Sequence, residues 1–508
     1  MSDHPLDQPF EVSGQWHLPE TPQQSIAGIL RYAPEHTELH LHDTFKPLRG
    51  AIRAGDSLQT YPLVYGVTEK GEAVTLVKAH RMGVSFNFGS GGLRQPERLM
   101  TTLLLMGAHI PSDFLYPTVS FGIPGLQVWH SRKNIDQSFE KDDKSGTSTL
   151  TYRLQRPPKE TIRIPSIDAN LEWYVGYRSN TDPYRFIDVA VSASVTFRPD
   201  QPQALPWYLE KFAELNVMLT FLAGTPMSPN HVDASIDDAR RYVSVMVALK
   251  DASYCKYANP HEFFMPRADM GTDLESVVAR WYEIAPKVRM PSRLAMSIMA
   301  SEKLWLHIEF LSLMQALEGF HRGLLDGNYM NSTDYGTVKA SLEAAIPKSL
   351  ANDHKDALRS RIKYGNEVSL RKRLDQLADR LAGPIREMIF GVDRKFPRQW
   401  IETRNYYTHW DETLRSDVLE GQEMYYANVR MRHFLRALYL DLLGIGPGAI
   451  LHSLSNASDS SQHLIQLNAV QKRDADPNDQ SGSIMTITEQ KASDIPGPSV
   501  SPVSPGKE

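Results

Sequence analysis

Alternating apolar and polar positions mark the first part of the chain, and a helical period marks the last. From Phe186 to Phe197, the residues Ile187, Val189, Val191, Val195 and Phe197 share one face of an extended chain. Shorter stretches, Thr149 to Leu154, Leu171 to Tyr177 and Ala73 to Lys78, read as strands too. Strands joined by long loops, with no strand–helix alternation, predict an antiparallel sheet or sandwich and exclude a doubly wound nucleotide fold.

The pattern changes at Pro206. Leu209, Phe212, Leu215, Met218, Leu219 and Leu222 form a helical stripe, with proline at the start and Gly224 just past the end. Residues 230 to 290 mix a strand, Tyr242 to Leu249, with a helix capped by Asp273. Beyond about residue 291, Leu306, Phe310, Leu313, Leu317 and Phe320 line one helix face. A further helical stretch from Asp353 to Ile389 is interrupted near Gly365 and at Gly383-Pro384. Met431, Leu435, Leu438 and Leu442 form another stripe that ends at Gly444. The expected fold class is α+β: a mostly antiparallel β domain, then an all-α bundle, then a disordered tail. The expected boundaries are 1–205 for the β domain, 206–290 for a mainly helical connector, 291–449 for the bundle and 450–508 for the tail, which lacks aromatics.

Composition narrows the classes. A chain of 508 residues with 41% hydrophobic residues can build two or three cores. A net charge of −5 excludes a polycationic nucleic-acid coat, so any nucleic-acid site is a local patch. The single cysteine, Cys255, excludes an intrachain disulfide and a cysteine-rich zinc site. No secretory signal and no span of about 18 apolar residues is visible, which predicts a soluble, cytoplasmic protein with no membrane partner.

The chemistry concentrates in Arg404-Asn405-Tyr406-Tyr407-Thr408-His409. Arginine is a permanent planar cation matched to phosphate, and histidine exchanges a proton near neutral pH. Residues 355 to 404 hold thirteen Lys and Arg against seven Asp and Glu. Such a local excess suits a phosphodiester ligand. Within it, Arg371, Lys372 and Arg373, together with Tyr406, are the expected RNA contacts. On a straight helix, Arg404 and His409 point about 140° apart. Either the segment lies at a helix end, or two copies share one site.

The Arg404-Asn405-x-x-x-His409 string resembles the signature of the HEPN ribonucleases. Phe310 to Arg322 looks like the first helix of the ApeA-like branch, and Phe10 to Pro19 is similar to the start of that branch's N-terminal domain. The resemblance implies an anti-phage, abortive-infection endoribonuclease that needs no metal or other cofactor and leaves 2′,3′-cyclic phosphate ends. Its implied partners are an RNA substrate (transfer, ribosomal or messenger), a phage-derived trigger and a second copy in a homodimer or larger homo-oligomer. Carried over, Arg404 neutralises the scissile phosphate, His409 is the general acid or base, and Asn405 orients phosphate or imidazole. Glu318 and Arg322, an i, i+4 pair on the first helix, are supporting candidates.

Three other signals carry less. On a strand, His40 and His42 share a face, yet Leu39 and Leu41 opposite them predict a solvated outer surface instead of zinc. Phe88-Gly89-Ser90-Gly91-Gly92 lacks the Lys-Ser/Thr of a phosphate loop. Gly444 to Gly448 follows a helix and reads as a terminator. The alternative to an enzyme is a non-catalytic helical module that binds RNA or a phage component.

Overall fold

The computed structural model describes residues 4–46, 59–85, 87–89, 92–131, 134–142, 146–237, 241–248, 254–301, 303–456 and 464–468. Thirteen strands form one sheet. Its order is Glu160–Ile164, Ala169–Asp182, Phe186–Pro199, Val119–Gly122, His231–Ser235, Tyr242–Val247, Leu103–Met106, Ala73–Val84, Thr60–Thr68, Phe10–His17, Ile26–Ala33, His36–Leu41 and Glu97–Thr101. Neighbouring strands run antiparallel, as alternation in the sequence requires. The Ala73–Val84 strand also pairs with Glu97–Thr101, through an irregularity between Arg81 and Gly83. The last six strands of the order therefore close on themselves as a barrel, which removes their free edges.

The barrel interior is packed tightly enough to dictate single residues. Trp16 is fully buried and donates its indole N–H to Gly28 O at 3.2 Å. Its ring lies on Gly66, where a Cβ would stand 2.2 Å from the ring carbons. The barrel also buries an ion pair, Arg81 Nε to Glu97 Oε1 at 2.6 Å, with side chains 2% and 0% exposed. Tyr61 and Thr44 donate to the two Glu97 oxygens at 2.9 and 2.7 Å, and Arg81 Nη2 donates to Tyr61 at 2.8 Å. Both carboxylate oxygens of Glu97 are thus hydrogen-bonded.

The Leu205–Ala223 helix packs on the open part of the sheet, where Phe212 stacks on Phe121 with centroids 4.0 Å apart. It ends at Gly224, whose φ of 79° is left-handed and whose missing Cβ leaves room for Phe264. The helical bundle follows, built around the Gly421–Leu442 helix, which buries Met431, Phe434, Leu435 and Leu438. Tyr439 joins the two halves. It stacks on Phe221 at 3.8 Å and shares a 2.6 Å hydrogen bond with Ser292.

The expected elements are present, with instructive departures. Asp273 caps the Leu274–Ile284 helix by accepting from Ser276 N at 2.7 Å. The expected break at residue 205 falls inside the β unit. His231–Ser235 and Tyr242–Val247 come after the Leu205–Ala223 helix and fill the middle of the sheet, because only they complete the ladder between Val119–Gly122 and Leu103–Met106. The shared apolar face of Phe186–Phe197 is buried only at its far end. Val195 and Phe197 are 0% exposed but Ile187 is 65% exposed, since the paired arm with Ala169–Asp182 runs past any covering layer. The chain is still ordered into the bundle just past residue 450, the expected start of the tail. Pro447–Asn456 is helical and buries Ile450 and Leu454 four residues apart, and Leu464 is buried as well. Residues 469–508 of that expected tail, and Ser90-Gly91 of the glycine-rich turn, lie outside the described residues.

Candidate functional site

The Arg–His segment forms the second half of the Arg398–His409 helix. Trp400, Thr403 and Tyr406, three residues apart, are its buried stripe. Trp400 meets Phe396 edge-on at 5.1 Å, and Thr403 Oγ1 accepts the Leu419 N–H at 3.0 Å. Just past His409, Trp410 turns left-handed (φ 53°, ψ 42°) and ends the helix. The segment reaches the helix end, but Arg404 to His409 all stay helical, so the two side chains still leave the helix in different directions.

The opposite side of this helix carries the polar groups. Arg404 Nη1 donates to Asn405 Oδ1 at 3.2 Å, and Arg404 Nη2 lies 3.7 Å from Glu318 Oε2 on the Leu306–Leu324 helix. His409 is exposed. Asn405 precedes it by four residues, hence on the same side of the helix. One amide therefore bridges the directions in which the cation and the imidazole point. Two residues beyond His409, the Asp411 carboxyl is held below its usual range by hydrogen bonds from the Thr413 hydroxyl and N–H.

Glu318 extends the site into a chain of charges. Arg322 donates twice to Glu318 Oε1 at 3.1 Å and once to Glu367 at 2.9 Å. Arg373 reaches the same Glu367 oxygen at 3.4 Å and donates to His321 Nδ1 at 3.2 Å. The pairs around Arg404 and Arg322 are partly exposed, so they contribute position more than stability.

Two expected RNA contacts are corrected here. Arg373 has a side chain only 2% exposed and is committed to His321, Glu367 and Gly327 O. Tyr406 is 3% exposed, and its hydroxyl accepts from Arg415 Nη1 at 2.7 Å. Both lost their availability because they face the bundle, not solvent. Arg371 is bonded to Asp375 at 2.9 Å, and Lys372 sits 4.5 Å over the Tyr329 ring. Arg359, Arg386, Arg394 and Arg398 pair with carboxylates of the same stretch, which the count already includes, while Arg380 on Asp441 and Arg404 beside Glu318 draw on carboxylates from outside it. Tyr406→Phe is expected to cost at most about 1 kcal/mol, one partly buried hydrogen bond, and to leave RNA affinity unchanged. Thermal melting and a binding titration check this; a variant with weakened RNA binding at unchanged stability would restore Tyr406 as a contact.

Two neighbours escaped the sequence reading. His307 stacks on Tyr407 with centroids 5.8 Å apart and planes at 16°. Its spacing of eleven residues from Glu318, three helical turns, was the available signal. Arg415, from the short 3-10 turn Glu412–Asp417, had no periodic signal at all.

Buried His321 is a titratable support for the site. Arg373 can only donate, so Nδ1 accepts and Nε2 donates to Gln376 Oε1 at 2.8 Å. Burial first, and then the Arg373 and Arg322 charges, push its pKa below the usual 6.5. As pH falls, the unfolded chain takes up this proton first. The contribution to stability is complete above the unfolded pKa and is lost as pH drops below about 6.5. Unfolding free energy measured from pH 7.5 to 5.5 should fall more steeply for the natural protein than for His321→Gln. Parallel slopes would exclude the effect.

His36 and His40 flank Glu38 on the outer face of their strand, with His40 Nε2 2.9 Å from Glu38 Oε2. Among the described residues, no group of three His, Cys, Asp or Glu is arranged to hold a metal ion. None of their helices is long and apolar enough to cross a membrane.

A barrel-bearing β unit followed by a bundle with an Arg–Asn–x–x–x–His helix defines a two-part HEPN-type protein. Residues 11–281 match the family model ApeA N-terminal domain 1, and residues 311–446 match Apea-like HEPN. The chain belongs to the ApeA-like HEPN family. No curated protein and no solved structure matches it.

Proposed function

We propose that this protein is an anti-phage, abortive-infection endoribonuclease that acts without a metal. The observation that carries the reading is the cluster of Arg404, Asn405 and Glu318 beside exposed His409, inside the segment that matches the HEPN model. Arg404 binds the scissile phosphate and offsets the charge that builds on it. His409 takes the proton of the ribose 2′-OH or delivers one to the departing 5′-oxygen. Asn405 orients the phosphate or the imidazole, and Glu318 orients Arg404. The attacking oxygen belongs to the RNA, so the substrate supplies its own proximity. Two copies bring their Arg–His helices together in a homodimer, which resolves the divergence of the two side chains within one chain. The β unit senses the infection trigger, and the cytoplasm is the site of action.

The test is an RNA cleavage assay in excess EDTA. Products with 2′,3′-cyclic phosphate ends support the proposal. Intact RNA with measurable binding would leave a binding module, and cleavage abolished by EDTA would make the enzyme metal-dependent. Sequencing RNA ends after induced expression, with His409→Ala alongside, identifies which RNA is cut.

A further inference from the structure

A second site lies away from the Arg–His helix, between the β unit and the bundle. There, Gly224, Tyr257 and Phe264 face Arg432, Arg436 and Asn428 of the Gly421–Leu442 helix across a cavity of about 610 Å³. That volume is within the range of about 300 to 1,000 Å³ typical of small-molecule sites.

The cavity wall contains polar groups that the fold leaves unsatisfied. Arg436 is only 7% exposed, and its Nε has no hydrogen-bond partner among the described residues. Its guanidinium lies 4.5 Å over the Phe264 ring, and among the described residues no carboxylate forms an ion pair with it. Burial, with Arg432 close by, pushes its pKa down to about 10. A buried guanidinium without an anion is costly, and helix packing alone would be served as well by an apolar side chain. Asn428, 1% exposed, repeats the pattern: Nδ2 donates to Leu306 O at 3.0 Å, while Oδ1 is buried with no hydrogen-bond partner among the described residues.

The two carboxylates of the wall are already engaged. Glu309 accepts from Arg432 Nε at 2.5 Å. Glu262 accepts the N–H groups of Ala258 and Asn259 at 2.7 and 2.6 Å. Lys303, exposed at the rim, adds a further positive charge. What fits is an anion for Arg436, with Arg432 alongside, an apolar or aromatic body against Tyr257, Phe264 and Tyr425, and a donor for Asn428 Oδ1.

We infer that this cavity binds a nucleoside phosphate, with the phosphate on Arg432 and Arg436 and the base or ribose donating to Asn428. The ligand would bridge the β unit and the bundle, and so couple one to the other. This site is independent of the ribonuclease reading.

Isothermal titration of the full chain with AMP, ATP and inorganic phosphate tests it. AMP or ATP should bind more tightly than inorganic phosphate, since the aromatic wall contributes only to the former. Arg436→Gln should weaken binding at least about tenfold, the loss of one charge-assisted hydrogen bond. Lys303→Glu, a surface change that leaves the fold intact, should weaken it too and covers the case in which Arg436→Gln fails to fold. Arg404→Ala should leave binding unchanged. The inference is overturned if no nucleotide binds at about 1 mM, if Arg436→Gln and Lys303→Glu both bind as the natural chain does, if Arg404→Ala removes binding, or if only an RNA oligonucleotide binds.

Discussion

His409→Ala and Arg404→Ala are each expected to abolish RNA cleavage and the toxicity that follows from it, with the fold intact. A positioned histidine contributes a factor of about 10² to 10⁴, and one preorganised donor on a developing anion contributes about 10² to 10³. His409 is exposed at a helix end, and Arg404 is half-buried with only a 3.2 Å bond to Asn405 and a long contact to Glu318. Neither removal opens a cavity, so circular dichroism and melting temperature should match the natural protein. In the proposed shared site, excess His409→Ala chain mixed with natural chain should also depress activity by forming mixed dimers. Cleavage at the natural rate by either variant would refute the mechanism. Activity unaffected by the mutant chain would refute the shared site.

Glu97→Ala is expected to cost about 3 to 5 kcal/mol, because it strands Arg81 as an unpaired charge inside the barrel. Domains are stable by only about 5 to 15 kcal/mol, so this one change removes much of the margin. The side chains of the pair are 2% and 0% exposed, and Thr44, Tyr61 and the Phe45 N–H all point at the same carboxylate. Replacing both partners, Arg81→Met with Glu97→Leu, should recover most of the loss, since no charge then remains inside. Denaturant unfolding of the three variants decides it. A Glu97→Ala protein within about 1 kcal/mol of the natural chain would show that water reaches Arg81.

These two predictions differ in how far the sequence could have supplied them. The Arg404–His409 segment was visible as a string of residue types, and the resemblance to HEPN proteins gave it a role. The Arg81–Glu97 pair had no sequence signal. Sixteen residues separate the partners, and nothing local to either one marks the other as its pair. Their meeting follows from barrel closure, a property of six strands together.

The same division runs through the rest of the molecule. Local pattern was enough for Leu306–Leu324, from its apolar stripe, and for Leu274–Ile284, from its Asp273 cap. It misjudged position wherever a face needs a partner to be read. Ile187 has the right phase but no layer above it, and Ile450 and Leu454 carry no aromatic neighbours but find a groove. Charge was the least legible property. Arg373, Arg380 and Arg386 count toward a basic stretch in the sequence, yet each is drawn to a carboxylate by the fold.

The sequence by itself determined the order of a β unit and a helical bundle, the helix that holds Arg404, Asn405 and His409, and the family to which the chain belongs. The elements depend on periodicity, caps and spacing, which act within a few turns, and the family rests on the resemblance of particular segments to known members. Only the tertiary structure decided that strands 231–235 and 242–247 complete the sheet, that Glu318 meets Arg404, that Tyr406 and Arg373 face inward, and that Arg436 is buried without an anion. Each of these depends on contacts between distant segments, and a burial or pairing of that kind exists only once the layers have packed.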